Sequence, residues 1–150
     1  MKFEIPRSMK LEHEQLHDIL RKATKEPGEL GEAAIAVAKI MHPHFIKEEE
    51  YALPPLGLLR SLSEGKVTPE MADVLAMTDK LKAELPQMLA EHKEIVAALE
   101  KLSTSAKKAG KGEYVEFAKA LMLHAQNEEE VAYPTAILIG EYVRAKLGTR

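Results

Sequence analysis

The chain of 150 residues contains no cysteine and no tryptophan, and aromatic residues make up only 5% of it. Without cysteine there can be no disulfide, no thiolate nucleophile and no cysteine-ligated zinc or iron–sulfur cluster. Strand signals are missing too: no stretch alternates apolar and polar residues with β-branched side chains. Apolar runs such as 136–140 are far too short to span a bilayer. The opening Met1-Lys2-Phe3-Glu4-Ile5-Pro6-Arg7 is not followed by the apolar run of a signal peptide, so the default expectation is a cytoplasmic protein with no membrane partner. The net charge is −3, which points to no nucleic-acid partner. Hydrophobic residues at 45% and charged residues at 30% are the balance of a globular protein. The length suits a single domain over 1–150.

What is abundant is helix-forming: Ala, Leu, Glu, Lys and Met dominate, and helical spacing occurs four times. Met9, His13, Leu16, His17 and Leu20 share one face of a first helix, which Pro27-Gly28 punctuates. Val37, Ile40, Met41, His44, Glu48 and Tyr51 form the stripe of a second, ending at Pro54-Pro55. A third stripe joins Leu85, Met88, Leu89, His92, Ile95, Val96, Leu99 and Leu102. The fourth joins Phe117, Leu121, His124, Glu128 and Val131 and ends near Pro134. The stretch 56–66 reads as a loop or a short turn of helix, and Thr68-Pro69-Glu70 as a helix start. Pro86 predicts a kink or break in the third helix, and 103–112 reads as a connection. Ile137, Leu138, Ile139, Tyr142 and Val143 suggest a short closing helix. The expected fold is an all-α, antiparallel up-down-up-down four-helix bundle, with a kinked third helix and a short extra C-terminal helix.

The stripes that should be apolar contain histidine and glutamate. His44 and Glu48 are four residues apart, about 40° around a helix, and so point the same way. His124 and Glu128 repeat that spacing, His92 sits between Leu89 and Val96, and His13 and His17 are again four apart. The halves of the chain resemble each other. The residues from His44 to Pro54 and from His124 to Pro134 share the pattern H-x-x-x-E-E-E-x-A-x-P, displaced by 80 residues. Glu12-His13 and Glu91-His92 each open E-H-x-x-Φ, where Φ is apolar. Two helix pairs, each offering a His and a His-x-x-x-Glu, would converge at the bundle centre on a two-metal site. Buried without partners, such groups would each cost roughly 2–7 kcal/mol, and a metal pair satisfies them together. Imidazole suits iron and zinc, and a carboxylate can bridge two cations.

With these residues in view, the chain resembles the hemerythrin-like, or HHE cation-binding, family from about Lys10 to Val143. The resemblance implies a di-iron centre held by His13, His44, Glu48, His92, His124 and Glu128. It also implies that Glu48 and Glu128 bridge two non-haem irons together with a solvent-derived oxo or hydroxo group. An open position would then take O2, NO or another small diatomic ligand. Oxygen-carrying members have five histidines, with a His-x-x-x-His pair on the third helix. Here position 96 is Val, and the pair His13/His17 lies on the first helix, which makes His17 a candidate fifth ligand. The carriers place an aspartate five residues after the last histidine; this chain has Glu128 at four and Glu129 at five, and the internal repeat favours Glu128.

A lone histidine on an apolar face is more often a satisfied core residue than a ligand. Six matching groups doubled by a repeat reverse that balance. His42 lies about 200° around from His44 and faces away. Glu49, Glu50, Glu129 and Glu130 read first as a solvated face and second as partners of ligand imidazoles. Packing is the first role for Tyr51 and Tyr133, with gating near the metal the alternative. Nitrogen and oxygen ligation with bridging carboxylates favours iron, with zinc or manganese as substitutes. A structural zinc site needs four ligands, fewer than converge here. Three roles stay open: binding or sensing a small ligand, di-iron oxidoreductase chemistry on peroxide or nitric oxide, and iron storage or donation. No further acid or base stands out beside the metal residues, which favours binding without turnover.

Overall fold

The computed structural model describes residues 2–148 and contains no strand among them. The chain forms α1 (Arg7–Thr24), α2 (Gly28–Lys47), the short α3 (Leu59–Ser63), α4 (Val74–Lys108), α5 (Gly112–Asn127) and α6 (Tyr133–Leu147). Two five-residue π-helical segments, Glu48–Ala52 and Glu128–Ala132, directly continue α2 and α5. α1 packs on α2, α2 on α4, α4 on α5, and α5 closes the ring against α1. α6 packs on α4 beyond the end of α5, because α4, at roughly 50 Å, is long enough for both. Residues 25–27 and 109–111 are the tight links within each half. Gly28 (φ 71°) and Gly110 (φ 68°) turn the chain there in a conformation costly for any other residue. No helix is long and apolar enough to cross a membrane among the described residues.

Three expectations change, and at Pro86 the alternative of a break drops out. The third helix runs unbroken through Pro86. The proline leaves the Lys82 carbonyl without its helical donor, and Lys82 is exposed, so water can pair with it. Pro43 sits inside α2 in the same way. The stretch 103–112 is helical as far as Lys108: its polar side chains fold back, with Thr104 Oγ1 donating to the Glu100 carbonyl at 3.0 Å, rather than compete with the helix. The closing helix is α6, 15 residues long and joined to α5 through the π segment. Pro134 lies in its first turn, where no backbone N–H is required. Val131, expected on the apolar stripe, is 55% exposed, because the π-turn shifts the helical register beneath it.

The core is in two parts. One holds Leu16, Leu20, Val37, Leu99, Phe117 and Leu121 between α1, α2, α4 and α5. The other holds Tyr51, Leu53, Leu81, Met88, Tyr133 and Val143, where α6 covers the first half of α4. The buried histidines and glutamates lie between them. Two side-chain-free contacts fix the packing: a Cβ at Gly140 would fall 2.1 Å from Thr78 Oγ1, and one at Gly57 would fall 2.1 Å from the Glu4 carbonyl oxygen.

Candidate metal centre

His13, His44, Glu48, His92, His124 and Glu128 are buried, with at most 7% of any of them exposed. They form two groups. In the first, His44, Glu48, His92 and Glu128 each present a ligand atom, and in the second, His13, His124 and Glu128 do; within each group these atoms lie within 4.8 Å of one another. His44 Nε2 and His92 Nε2 are 2.9 Å apart, and His13 Nε2 and His124 Nε2 are 3.0 Å apart. Glu128 spans the groups. Its Oε1 is 3.3 Å from His92 Nε2, while its Oε2 is 3.1 Å from His124 Nε2 and 3.4 Å from His13 Nε2. Glu48 Oε2 lies 3.7 Å from His44 Nε2, and Oε1 lies 4.0 Å from His13 Nε2.

The second nitrogens of three rings are held from outside. His44 Nδ1 meets Glu91 at 2.7 Å and His92 Nδ1 meets Glu129 at 3.0 Å. His124 Nδ1 bonds Glu12. Glu91 is held in turn by Lys47 at 2.6 Å and Gln87 at 3.2 Å. A carboxylate accepts from Nδ1–H, so a neutral ring turns its bare Nε2 lone pair inward. Glu12 and Glu91 are the acidic residues of the repeated E-H dipeptides. Each bonds a histidine of a neighbouring helix rather than the one beside it in sequence. Their place in the repeat was the only sequence signal for that role. Glu129, first read as solvated, does take up a ligand-type imidazole.

His17 is not brought into either group. It is half-buried, its ring centroid 4.1 Å from that of Phe45, and burial together with the neighbouring His13 lowers its pKa. His42 is exposed, as its helical position requires. Tyr133 was expected mainly to pack. Instead its hydroxyl donates to Glu48 Oε2 at 2.6 Å and lies 3.3 Å and 3.2 Å from His44 Nε2 and His92 Nε2. The π segment explains this. Nine residues along a regular helix from His124 would put Tyr133 about 180° away, whereas a π-turn absorbs one residue and leaves about 80°.

Donors are too few in this layer for its acceptors. Two pairs of Nε2 atoms face each other at contact distance, and buried Glu48 Oε1 has no hydrogen-bond partner. Without a cation, protons have to take its place. Burial, then the charge of Glu128, pushes the Glu48 carboxyl well up. Burial would raise Glu128 as well, but Glu48, His124, His13 and His92 around it bring it well below the usual range. Burial lowers His44 despite Glu91. For His124 burial acts in the same direction, but Glu128 and Glu12 outweigh it and raise the pKa. A cation answers the deficit directly. At metal–nitrogen lengths of about 2.1 Å, two ligands at right angles on one ion lie about 3.0 Å apart, as each imidazole pair does here.

A helical bundle with a buried layer of converging imidazoles and carboxylates between two apolar cores is built to bind metal cations. The hemerythrin HHE cation-binding domain model matches residues 5–136, and the chain belongs to that family. No curated protein and no solved structure matches it.

Proposed function

We propose that this protein holds two non-haem irons and binds or senses O2 or another small diatomic ligand there, without turnover. The observation that carries this is the pair of His/Glu groups sharing Glu128, with Glu48 Oε1 buried and unpartnered between them. His44 and His92 would hold one ion and His13 and His124 the other, with Glu128 and Glu48 bridging. When bound, a ferrous pair supplies electrons and a coordination position for a small ligand. The protein's own part is to aim and to exclude. Glu91, Glu129 and Glu12 hold three rings with Nε2 inward. Apolar cores on both sides keep water from the layer, and a cavity of about 600 Å³ between α1 and α5 reaches Glu12 and His124. Tight links at 25–27 and 109–111 run each helix back along its neighbour, which supports an up-down-up-down order for the four long helices.

Elemental analysis, with visible spectra before and after reduction and air exposure, tests this. About two irons per chain with bands that change reversibly with O2 is the expected result. Two irons that oxidise once, with no reversible change, would replace ligand binding by oxidoreductase or iron-donor chemistry. No metal after anaerobic reconstitution with ferrous iron would overturn the reading.

A further inference from the structure

We propose that Tyr133 is itself a ligand, its phenol oxygen completing the donor set of the ion held by His44 and His92, so that the two metal positions are inequivalent. This rests on the two-metal reading above and goes beyond its ligand set. The phenol oxygen lies 2.6 Å from Glu48 Oε2, 3.3 Å from His44 Nε2 and 3.2 Å from His92 Nε2. A phenol has one proton, so at most one of these three contacts is a hydrogen bond in which it donates. With both rings donating outward through Nδ1 to Glu91 and Glu129, the other two contacts set lone pair against lone pair. Those spacings match neighbouring donors around one ion, where about 3.0 Å is expected. Tyr133 is fully buried, its ring centroid 5.6 Å from that of His92 with the planes tilted by 33°, and it starts α6 directly after the π segment that turns it inward.

The first half of the repeat has no such donor. Displaced by 80 residues, the position of Tyr133 is occupied by Leu53, an apolar residue buried in the core. The ion at His13 and His124 is therefore one protein donor short of its neighbour. Cavities reach both positions, one between α1 and α5 at His124 and one between α4 and α5 at His92, so the missing donor is what distinguishes them. Small exogenous ligands accordingly bind at the His13/His124 ion. With iron(III) in the site, the phenol gives up its proton to solvent and the iron(III)–phenolate bond forms with no change of oxidation state, a cation favouring the deprotonated donor in the usual way.

The probe is iron. The protein, loaded anaerobically with ferrous iron and then oxidised by O2 from air, should show a visible phenolate-to-iron(III) absorption. Resonance Raman excited in that band should give phenolate ring modes that shift with ring-deuterated tyrosine. Tyr133→Phe, which keeps the ring and its packing, should lose the band entirely, and Tyr51→Phe should keep it. Iron content is measured on the same samples. Two irons per chain without phenolate modes, or with a band that survives in Tyr133→Phe, would overturn this proposal and leave the two-metal reading intact. No iron at all would overturn both. The labelled wild-type measurement decides the matter even where the variant fails to fold.

Discussion

Glu91→Gln tests whether charge placed outside the metal layer holds the imidazoles inside it. The Glu91 carboxylate lies 2.7 Å from His44 Nδ1 and 2.6 Å from Lys47 Nζ, with only 14% of the side chain exposed. Burial alone would raise its pKa, but the Lys47 ammonium, the His44 ring and the Gln87 amide outweigh it and bring it from 4.5 down to about 2. That drop sets a ceiling of about 3 kcal/mol. Solvent screening on the open side of the carboxylate brings the working figure to about 1–2 kcal/mol. Because the folded pKa lies below the unfolded one, this stability is fully present above the unfolded value of 4.5 and is lost as the pH falls through about 2. Urea unfolding of the metal-free proteins should show Glu91→Gln less stable by about 1–2 kcal/mol near pH 7, with the gap visibly narrower near pH 3.5. The substitution also weakens the acceptor on His44 Nδ1, a contact of the kind worth about 10–100-fold in metal affinity. Equal stabilities at neutral pH, or a gap that ignores pH, would refute the reasoning.

Chelation should lower the melting temperature. An ion present at about 100 times its dissociation constant adds about 2.7 kcal/mol, roughly 5–10 °C for a chain of this size; calorimetry showing no shift in a sample assayed to contain metal would count against the site. Acid should strip the metal as imidazoles protonate near pH 6 and below, and full occupancy retained near pH 4 would contradict the histidine ligands. Gly140→Ala sets two effects against each other. Helix propensity alone favours alanine by about 1 kcal/mol, but the new Cβ would fall 2.6 Å from Thr78 Cβ, so overpacking of about 1–3 kcal/mol should win. A higher denaturation midpoint for the variant would show that α4 and α6 can separate at no cost.

Residue periodicity is a local property, and what depended on it was legible in the sequence. His44 with Glu48 and His124 with Glu128 share their helix faces whatever the rest of the chain does. The repeat, displaced by 80 residues at His44 and Glu48 and by 79 at His13, placed six groups in equivalent positions, and the structure brings those six together. The family followed from the same residues and matches 5–136. Local punctuation was less dependable. Pro86 and the Ser/Lys/Gly-rich stretch 103–112 read as interruptions, yet packing against α2, α5 and α6 carries α4 through both, since the burial gained along a 35-residue helix exceeds the loss of one backbone hydrogen bond.

Tertiary structure decided the pairing. That Glu12 meets His124, and Glu91 meets His44, depends on how neighbouring helices are rotated against each other, which no single-helix pattern encodes. His17 stands one turn from His13 on the same face, yet it lies half-buried against the Phe45 ring and joins neither group. Tyr133 points into the layer because the π segment at Glu128–Ala132 absorbs one residue, a change of backbone register that side-chain spacing counted at 3.6 residues per turn cannot show. The sequence by itself determined which residues each helix carries on its inner face. Only the packed bundle determined which atoms meet there, because those contacts join residues as many as 115 positions apart.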